Sequence, residues 1–367
     1  MASVARQWST LNRNQSRSYQ ACSAIPAGFI GALQKALSAF TDYSSENPQD
    51  INPAMQRFCL DALHFCRMSE LFDPNSIFDI SSDFGNRAQS GYPRATRLCI
   101  RNIIPAPHLK ERFSAARASI LFSATISPAR FYIDMLALPK ETVWLDVGSP
   151  FRPEQIKVHI VKAISTRYSD RERSLAPIIE LVAQQYYRQP GNYLMYFSGF
   201  DYLQKVAALL RARHPEIPLW EQSPGMREPQ KDQFLGRLTA TSRGVGFAVL
   251  GGAFAEGIDL PGDRLIGAFI ATLGMPQINP VNEQIRRRMQ AAFGAGFDYT
   301  YLYPGLQKVV QAAGRVIRTQ TDRGVIYLID DRYARSAVLG LLPRWWTIEN
   351  GASCRKPALD PVERSEH

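Results

Sequence analysis

PGLQKVVQAAGRVIRTQTDRGVIYLID, residues 304–330, is the stretch whose reading decides the fold. Leu306, Val309, Val310 and Ala313 recur at helical spacing, and the run from Gly324 to Ile329 is a short apolar strand. A helix feeding a strand that is apolar on both faces belongs to a parallel α/β sheet covered by helices. The octet QAAGRVIR, residues 311–318, is predicted to lie on that helix. Gln311, Arg315 and Arg318 then stand at i, i+4 and i+7 and project from one face. Gly314 leaves the backbone beside Arg315 uncrowded. Two fixed guanidinium groups suit the charge that accumulates on a γ-phosphate during transfer. A solvated arginine face that includes a glycine is the plain alternative.

Working outward, further strands are expected at residues 119–122, 193–197, 217–220, 247–251 and 266–271. Helical stripes lie between them, among them Leu175, Ile178, Ile179, Val182 and Tyr186, then Leu203, Val206, Leu209 and Leu210. Alternation of buried strands with helices predicts a parallel α/β sheet from about residue 98. Pro150, Pro153 and the polar stretch 166–173 mark entry into a second domain near residue 152. The N-terminal third reads as helical, from Phe29, Ile30, Leu33, Leu37 and Phe40 and then Met55, Phe58, Cys59, Ala62, Phe65 and Cys66. Residues 41–53 read as a loop, and the chain after Trp346 as a flexible tail.

Three strand ends carry polar residues of interest. GGAFAEGIDLPG, residues 251–262, presents Glu256, Gly257 and Asp259, acids able to accept from nucleotide hydroxyls or from arginines across a cleft. FSATISP, residues 122–128, offers the small hydroxyls of Ser123 and Thr125, which a helix cap would explain equally well. YFSGFDYL, residues 196–203, sets Ser198 and Gly199 where a hydroxyl and backbone amides can hold a phosphate. GVG at residues 244–246 is read as preceding its strand and completes no GxGxxG, which argues against a dinucleotide fold. Arg286, Arg287 and Arg288 suit a DNA path or a solvated helix face.

The net charge of +10 and a pI near 9.4 favour a polyanionic partner. The N-terminus has no signal-peptide pattern and no apolar run reaches the ~20 residues that span a bilayer, so a cytoplasmic protein without a membrane partner is expected. The five cysteines are odd in number and scattered, which suggests neither a disulfide framework nor a zinc site, and Cys59 and Cys66, seven apart in an apolar helical stripe, read as buried core thiols.

SAT, then an aromatic strand ending in serine, then EGID, then QxxGRxxR is the order of the later superfamily 2 helicase motifs. Over roughly residues 98–346 the chain resembles the XPD/DinG type of ATP-dependent DNA helicase. SPFRPEQ (149–155), MPQINP (275–280) and LIDDRY (328–333) share in the likeness. The resemblance implies an α/β fold, a RecA-like parallel sheet domain with a helical N-terminal region. Residues 1–97 would be the rear of an arch domain, 98–151 the end of a first RecA-like domain, 152–346 a second RecA-like domain and 347–367 a tail. It also implies ATP hydrolysis with magnesium, coupled to translocation on single-stranded DNA and duplex unwinding. Arg315 and Arg318, with Gln311, would face the γ-phosphate. Glu256, Gly257 and Asp259, together with Ser123 and Thr125, would bind nucleotide and couple it to movement. Ser198 and Gly199 would contact DNA.

Three departures accompany the likeness. No GxxxxGK[ST] loop, no acidic DEAH-type box and no group of four cysteines for the family's iron–sulfur cluster occurs in the sequence. The chain is therefore expected to be inactive alone and to need an N-terminal helicase half carrying the phosphate loop, as a truncated form, split gene product or fragment. The competing reading is a stand-alone nucleic-acid-binding or regulatory protein that has lost its ATPase.

Overall fold

The computed structural model describes residues 2–15, 17–82, 96–252, 254 and 258–350. Two compact units divide the chain. The first comprises Met1–Ile120, Arg130–Thr142 and Ile278–Phe297; the second comprises Leu121–Ala129, Val143–Gln277 and the chain from Asp298 onward.

The first part of the chain runs α1 (Ala2–Arg13), β1 (Tyr19–Cys22), α2 (Ala27–Glu46), α3 (Pro53–Glu70), β2 (Ser76–Ser82), β3 (Thr96–Asn102), α4 (Ala106–Ala115) and α5 (Ala129–Leu136). The expected helices are present. α2 continues through residues 41–46, where a loop was expected. The Thr41 and Ser45 hydroxyls donate to the carbonyls of Leu37 and Thr41 at 3.0 and 2.9 Å, so the turn-forming side chains are absorbed by the helix itself. The Asn52 side chain accepts from the Ala54 amide at 2.8 Å and caps α3, with Pro53 in its first turn. Periodicity did not reveal the antiparallel sheet β1-β2-β3. β2 is buried along almost its whole length and carries a charge, Asp79, paired with Arg101 on β3. Phe29, Phe65 and Phe78 meet edge to face at 5.8 and 6.4 Å, binding α2 and α3 to that sheet. Cys59 and Cys66 are buried free thiols, as expected.

The second unit contains β4 (Ile156–Ile160), α6 (Arg171–Arg188), β5 (Asn192–Phe197), α7 (Phe200–Arg213), β6 (Leu219–Glu221), α8 (Glu228–Gly236), β7 (Gly244–Val249) and β8 (Gly267–Ala271). After α9 (Pro280–Phe293), which belongs to the first unit, it resumes with α10 (Tyr303–Ala313), β9 (Gly324–Leu328), α11 (Ser336–Leu339) and β10 (Thr347–Asn350). Its seven strands pair in the order β10-β4-β9-β8-β5-β7-β6, all in parallel. Alternate strand residues feed two cores. Leu194, Tyr196, Ala268, Ile270, Ile326 and Leu328 pack with Leu306, Val309 and Ala312 of α10 on one face. Tyr193, Met195, Phe197, Phe247, Phe269 and Val325 pack with α6 and α7 on the other. Both faces are thus dry, which is why these strands read as continuous apolar runs.

Four expectations need correction. Residues 119–122 form no strand; Phe122 is 89% exposed, and a strand needs a ladder partner. Gly244 to Gly246 do not precede β7 but open it, because larger residues would not fit. A Cβ on Gly246 would stand 2.9 Å from Leu194 and Phe234. The tail begins as a strand, since residues 347–350 pair with β4. β4 itself was not foreseen.

Candidate functional site

The structure corrects the placement of QAAGRVIR. α10 ends at Ala313, Gly314 caps it, and Arg315 and Arg318 lie beyond the helix. They converge nonetheless. Arg315 Nη1 donates to the carbonyl of Ile258 at 2.9 Å and Arg318 Nη2 to the same oxygen at 3.0 Å. Arg318 Nε stands 3.4 Å from Asp259 Oδ1, an ion-pair distance. Gln311 occupies the last turn of α10, half-buried, and makes no side-chain hydrogen bond among the described residues. Glu256 and Gly257 lie outside the described residues.

What holds this cluster is Asp322, which the sequence reading did not single out. Its carboxylate accepts from the amides of Arg318 at 2.7 Å and Thr319 at 2.8 Å, from the Thr319 hydroxyl, and from the Gly262 amide at 3.2 Å. Burial alone would raise its pKa. The bonds from Thr319, Arg318 and Gly262 outweigh burial and hold it below the ordinary carboxylate value. Gln155, just ahead of β4, donates to the carbonyls of Thr319 and Asp322 at 3.0 and 2.9 Å. One carboxylate and one amide therefore pin the arginine loop and the end of the 251–262 loop to the amino-terminal edge of the sheet. Asp322 is the lone acid in the turn between α10 and β9, and that was its available signal. Gln155 had only its place in SPFRPEQ.

A second cluster sits at the opposite, carboxyl edge. Ser198 and Gly199 follow β5 and open α7, as expected. Ser198 Oγ accepts from Arg171 Nη2 at 2.8 Å. The segment that brings Arg171 there is tied to the end of β9 through LIDDRY. Asp330, fully buried, accepts from the Thr166 amide at 2.9 Å and from Arg332 Nε and Nη2 at 2.6 and 2.9 Å. Arg167 forks onto Asp331 at 2.6 and 2.9 Å. Burial would raise the Asp330 pKa, but the bonds from Arg332 and Thr166 prevail and take it down to about 2. Ser198 and the Arg315–Arg318 pair thus lie at opposite edges of one sheet. In the chain, residues 250–252 follow β7 and residues 258–262 come ahead of β8.

Ser123 and Thr125 occupy an exposed turn, with their hydroxyls 3.3 Å apart and the Thr125 amide donating to Ser123 Oγ at 3.2 Å. Among the described residues no group of three His, Cys, Asp or Glu side chains stands together as a metal site. No described helix is long and apolar enough to cross a membrane.

Residues 182–349 match the family model of the helicase C-terminal domain. A probable ATP-dependent helicase of Methanocaldococcus jannaschii is 28% identical over 311 residues, 77% of this chain and 45% of that protein. The ATP-dependent DNA helicase chl-1 of Caenorhabditis elegans is 26% identical over 270 residues, 66% of this chain and 31% of that protein. The chain thus spans less than half of either relative. Among solved structures, an apo XPD superposes with a TM-score of 0.61 at 16% identity over 95% of this chain and 69% of that one. An XPD helicase gives 0.59 at 16% identity, over 95% and 62%. That likeness identifies the seven-stranded unit as RecA-like.

Proposed function

We propose that this chain, with its helicase C-terminal domain, supplies the second motor domain of an ATP-dependent DNA helicase. The observation that carries the reading is the convergence of Arg315 and Arg318 on the Ile258 carbonyl beside Asp259. Two guanidinium groups fixed on one backbone oxygen form a preorganised pair of donors for charge growing on a transferring phosphoryl group. When a γ-phosphate approaches, both forks can exchange a neutral carbonyl for an anion, a stronger partner. Gln311 would complete that face, and Asp259, Glu256 and Gly257 would report nucleotide state along the loop to the opposite edge. There Ser198 and Gly199 would hold the single-stranded DNA backbone.

The complementary half would contribute the phosphate loop and the acids that hold magnesium, neither of which the sequence contains. Ser123 and Thr125 would close the joint with it. The exposed apolar stretches support such a partner: Phe122 is 89% exposed, and Val143, Leu145 and Val147 are 89%, 80% and 77% exposed. These segments flank α5 and repeat the strand–helix–strand spacing of a parallel sheet.

The test is ATP turnover, measured with and without single-stranded DNA, for the chain alone and after co-expression with a segment carrying GxxxxGK[ST] and an acidic box. Activity only in the complemented sample is expected. DNA-stimulated turnover by the pure chain would overturn the division of labour, and DNA binding without any restored turnover would favour a retired ATPase.

A further inference from the structure

Arg171 stands out among the cations at the carboxyl edge of the sheet because its neighbours are all paired. Asp170 is bound by Arg173 at 2.7 Å, Asp331 by Arg167 at 2.6 Å and Asp330 by Arg332 at 2.6 Å. Lys205 holds Glu172 at 2.5 Å and Asp201 at 3.7 Å. Arg171 has no carboxylate at ion-pair distance among the described residues, and its one side-chain hydrogen bond goes to Ser198. Its Nε is buried without a partner.

Aromatic rings hold the guanidinium in place. Its carbon lies 5.1 Å from the centre of the Tyr168 ring and 5.2 Å from that of Tyr202. The two rings differ in exposure. Tyr202 is fully buried and its hydroxyl lies 2.6 Å from Ser174 Oγ, whereas Tyr168 is 85% exposed. The cation–π contact contributes only modestly at an exposed site, and it leaves the rest of the open Tyr168 ring without a stacking partner among the described residues. A nucleic-acid strand uses both, since phosphate takes the cation and a base stacks on the ring.

We infer that Arg171 and Tyr168 form a single-nucleotide clamp for single-stranded DNA, in which Arg171 grips a phosphate jointly with Ser198 and Tyr168 stacks the adjoining base. The inference rests on the motor reading and adds two residues to it. Because Thr166 and Arg167 are tied to Asp330 and Asp331, the clamp rides on a fixed segment and moves with the domain as one body.

The test titrates the full chain into a fluorescently labelled oligothymidylate and into the same oligomer with abasic sites, by anisotropy at several salt concentrations. Tyr168→Ala is expected to weaken binding to the intact oligomer roughly tenfold with an unchanged salt slope. It should leave affinity for the abasic oligomer as in the unaltered chain. Arg171→Gln is expected to lower affinity and reduce the salt slope by about 0.7, one phosphate contact on a single strand. Arg171 also packs on buried Tyr202, so a melting curve accompanies each variant. Tyr168 is open to solvent and its variant should melt as the parent does. If the parent binds and both variants match it in affinity and slope, the clamp is overturned while the motor reading stands. If the parent binds neither oligomer at low salt, both fall together.

Discussion

Arg315 and Arg318 share a single acceptor, the carbonyl oxygen of Ile258, at 2.9 and 3.0 Å. Both guanidinium groups donate to one neutral oxygen, and an arriving anion would be a stronger acceptor for each. In the complemented motor, Arg315→Ala or Arg318→Ala should reduce ATP turnover by roughly 10³-fold or more, about 4 kcal/mol of transition-state stabilisation. Lysine at either position should rescue poorly, because it lacks the planar fork. Steady-state kinetics of each variant check this, and an undiminished rate for Arg315→Ala would remove it from the phosphate.

Asp322 should matter to the same kinetics without touching nucleotide. Asp322→Ala leaves the Arg318, Thr319 and Gly262 amides without their acceptor, at a cost of about 2–4 kcal/mol for buried bonds to a charged group. Urea unfolding of the isolated chain should register that loss, whereas Arg315→Ala should leave the midpoint nearly unchanged.

Asp330 makes the domain acid-sensitive in a defined window. Its pKa in the fold, about 2, lies below the ordinary 3.8, so its charged form is favoured by folding. The resulting stability, roughly 2 kcal/mol, is fully present above about pH 4 and drains away as pH falls towards 2. Asp330→Asn should be less stable than the parent at pH 7, and that difference should shrink in this range. Denaturant midpoints at pH 7, 4 and 2.5 would show it; a difference constant with pH would exclude Asp330 as the source.

Expressed alone, the chain should self-associate, because apolar Phe122, Val143, Leu145 and Val147 are exposed. Size-exclusion chromatography should show oligomers that resolve on co-expression with the complementary half. A soluble monomer at high concentration would contradict this.

Gly324 shows how tightly the arginine loop is seated on the sheet. A Cβ there would come within 2.2 Å of Cγ1 of Val316, which lies between Arg315 and Arg318 in the chain. Gly324→Ala should therefore destabilise by about 1–3 kcal/mol and disturb Arg315 with it, visible as a joint loss of melting temperature and turnover.

The sequence by itself determined strands β5 to β9 of the second unit and the striped helices α6, α7 and α10, because strands buried on both faces must be apolar throughout, but it showed neither β4 nor β10. It also put QAAGRVIR, Asp259 and Ser198 forward as candidates for phosphate contact, since they are legible as letters in a row. Only the tertiary structure decided how they meet. Helical spacing placed Gln311, Arg315 and Arg318 on one face, but α10 stops at Ala313 and the arginines converge through an acceptor that no side-chain pattern encodes, a backbone carbonyl. The long-range bonds of Asp322, Gln155 and Arg171 were invisible for the same reason. Their partners lie 60, 164 and 27 residues away along the chain and become neighbours only when parallel strands bring their loops to a common edge.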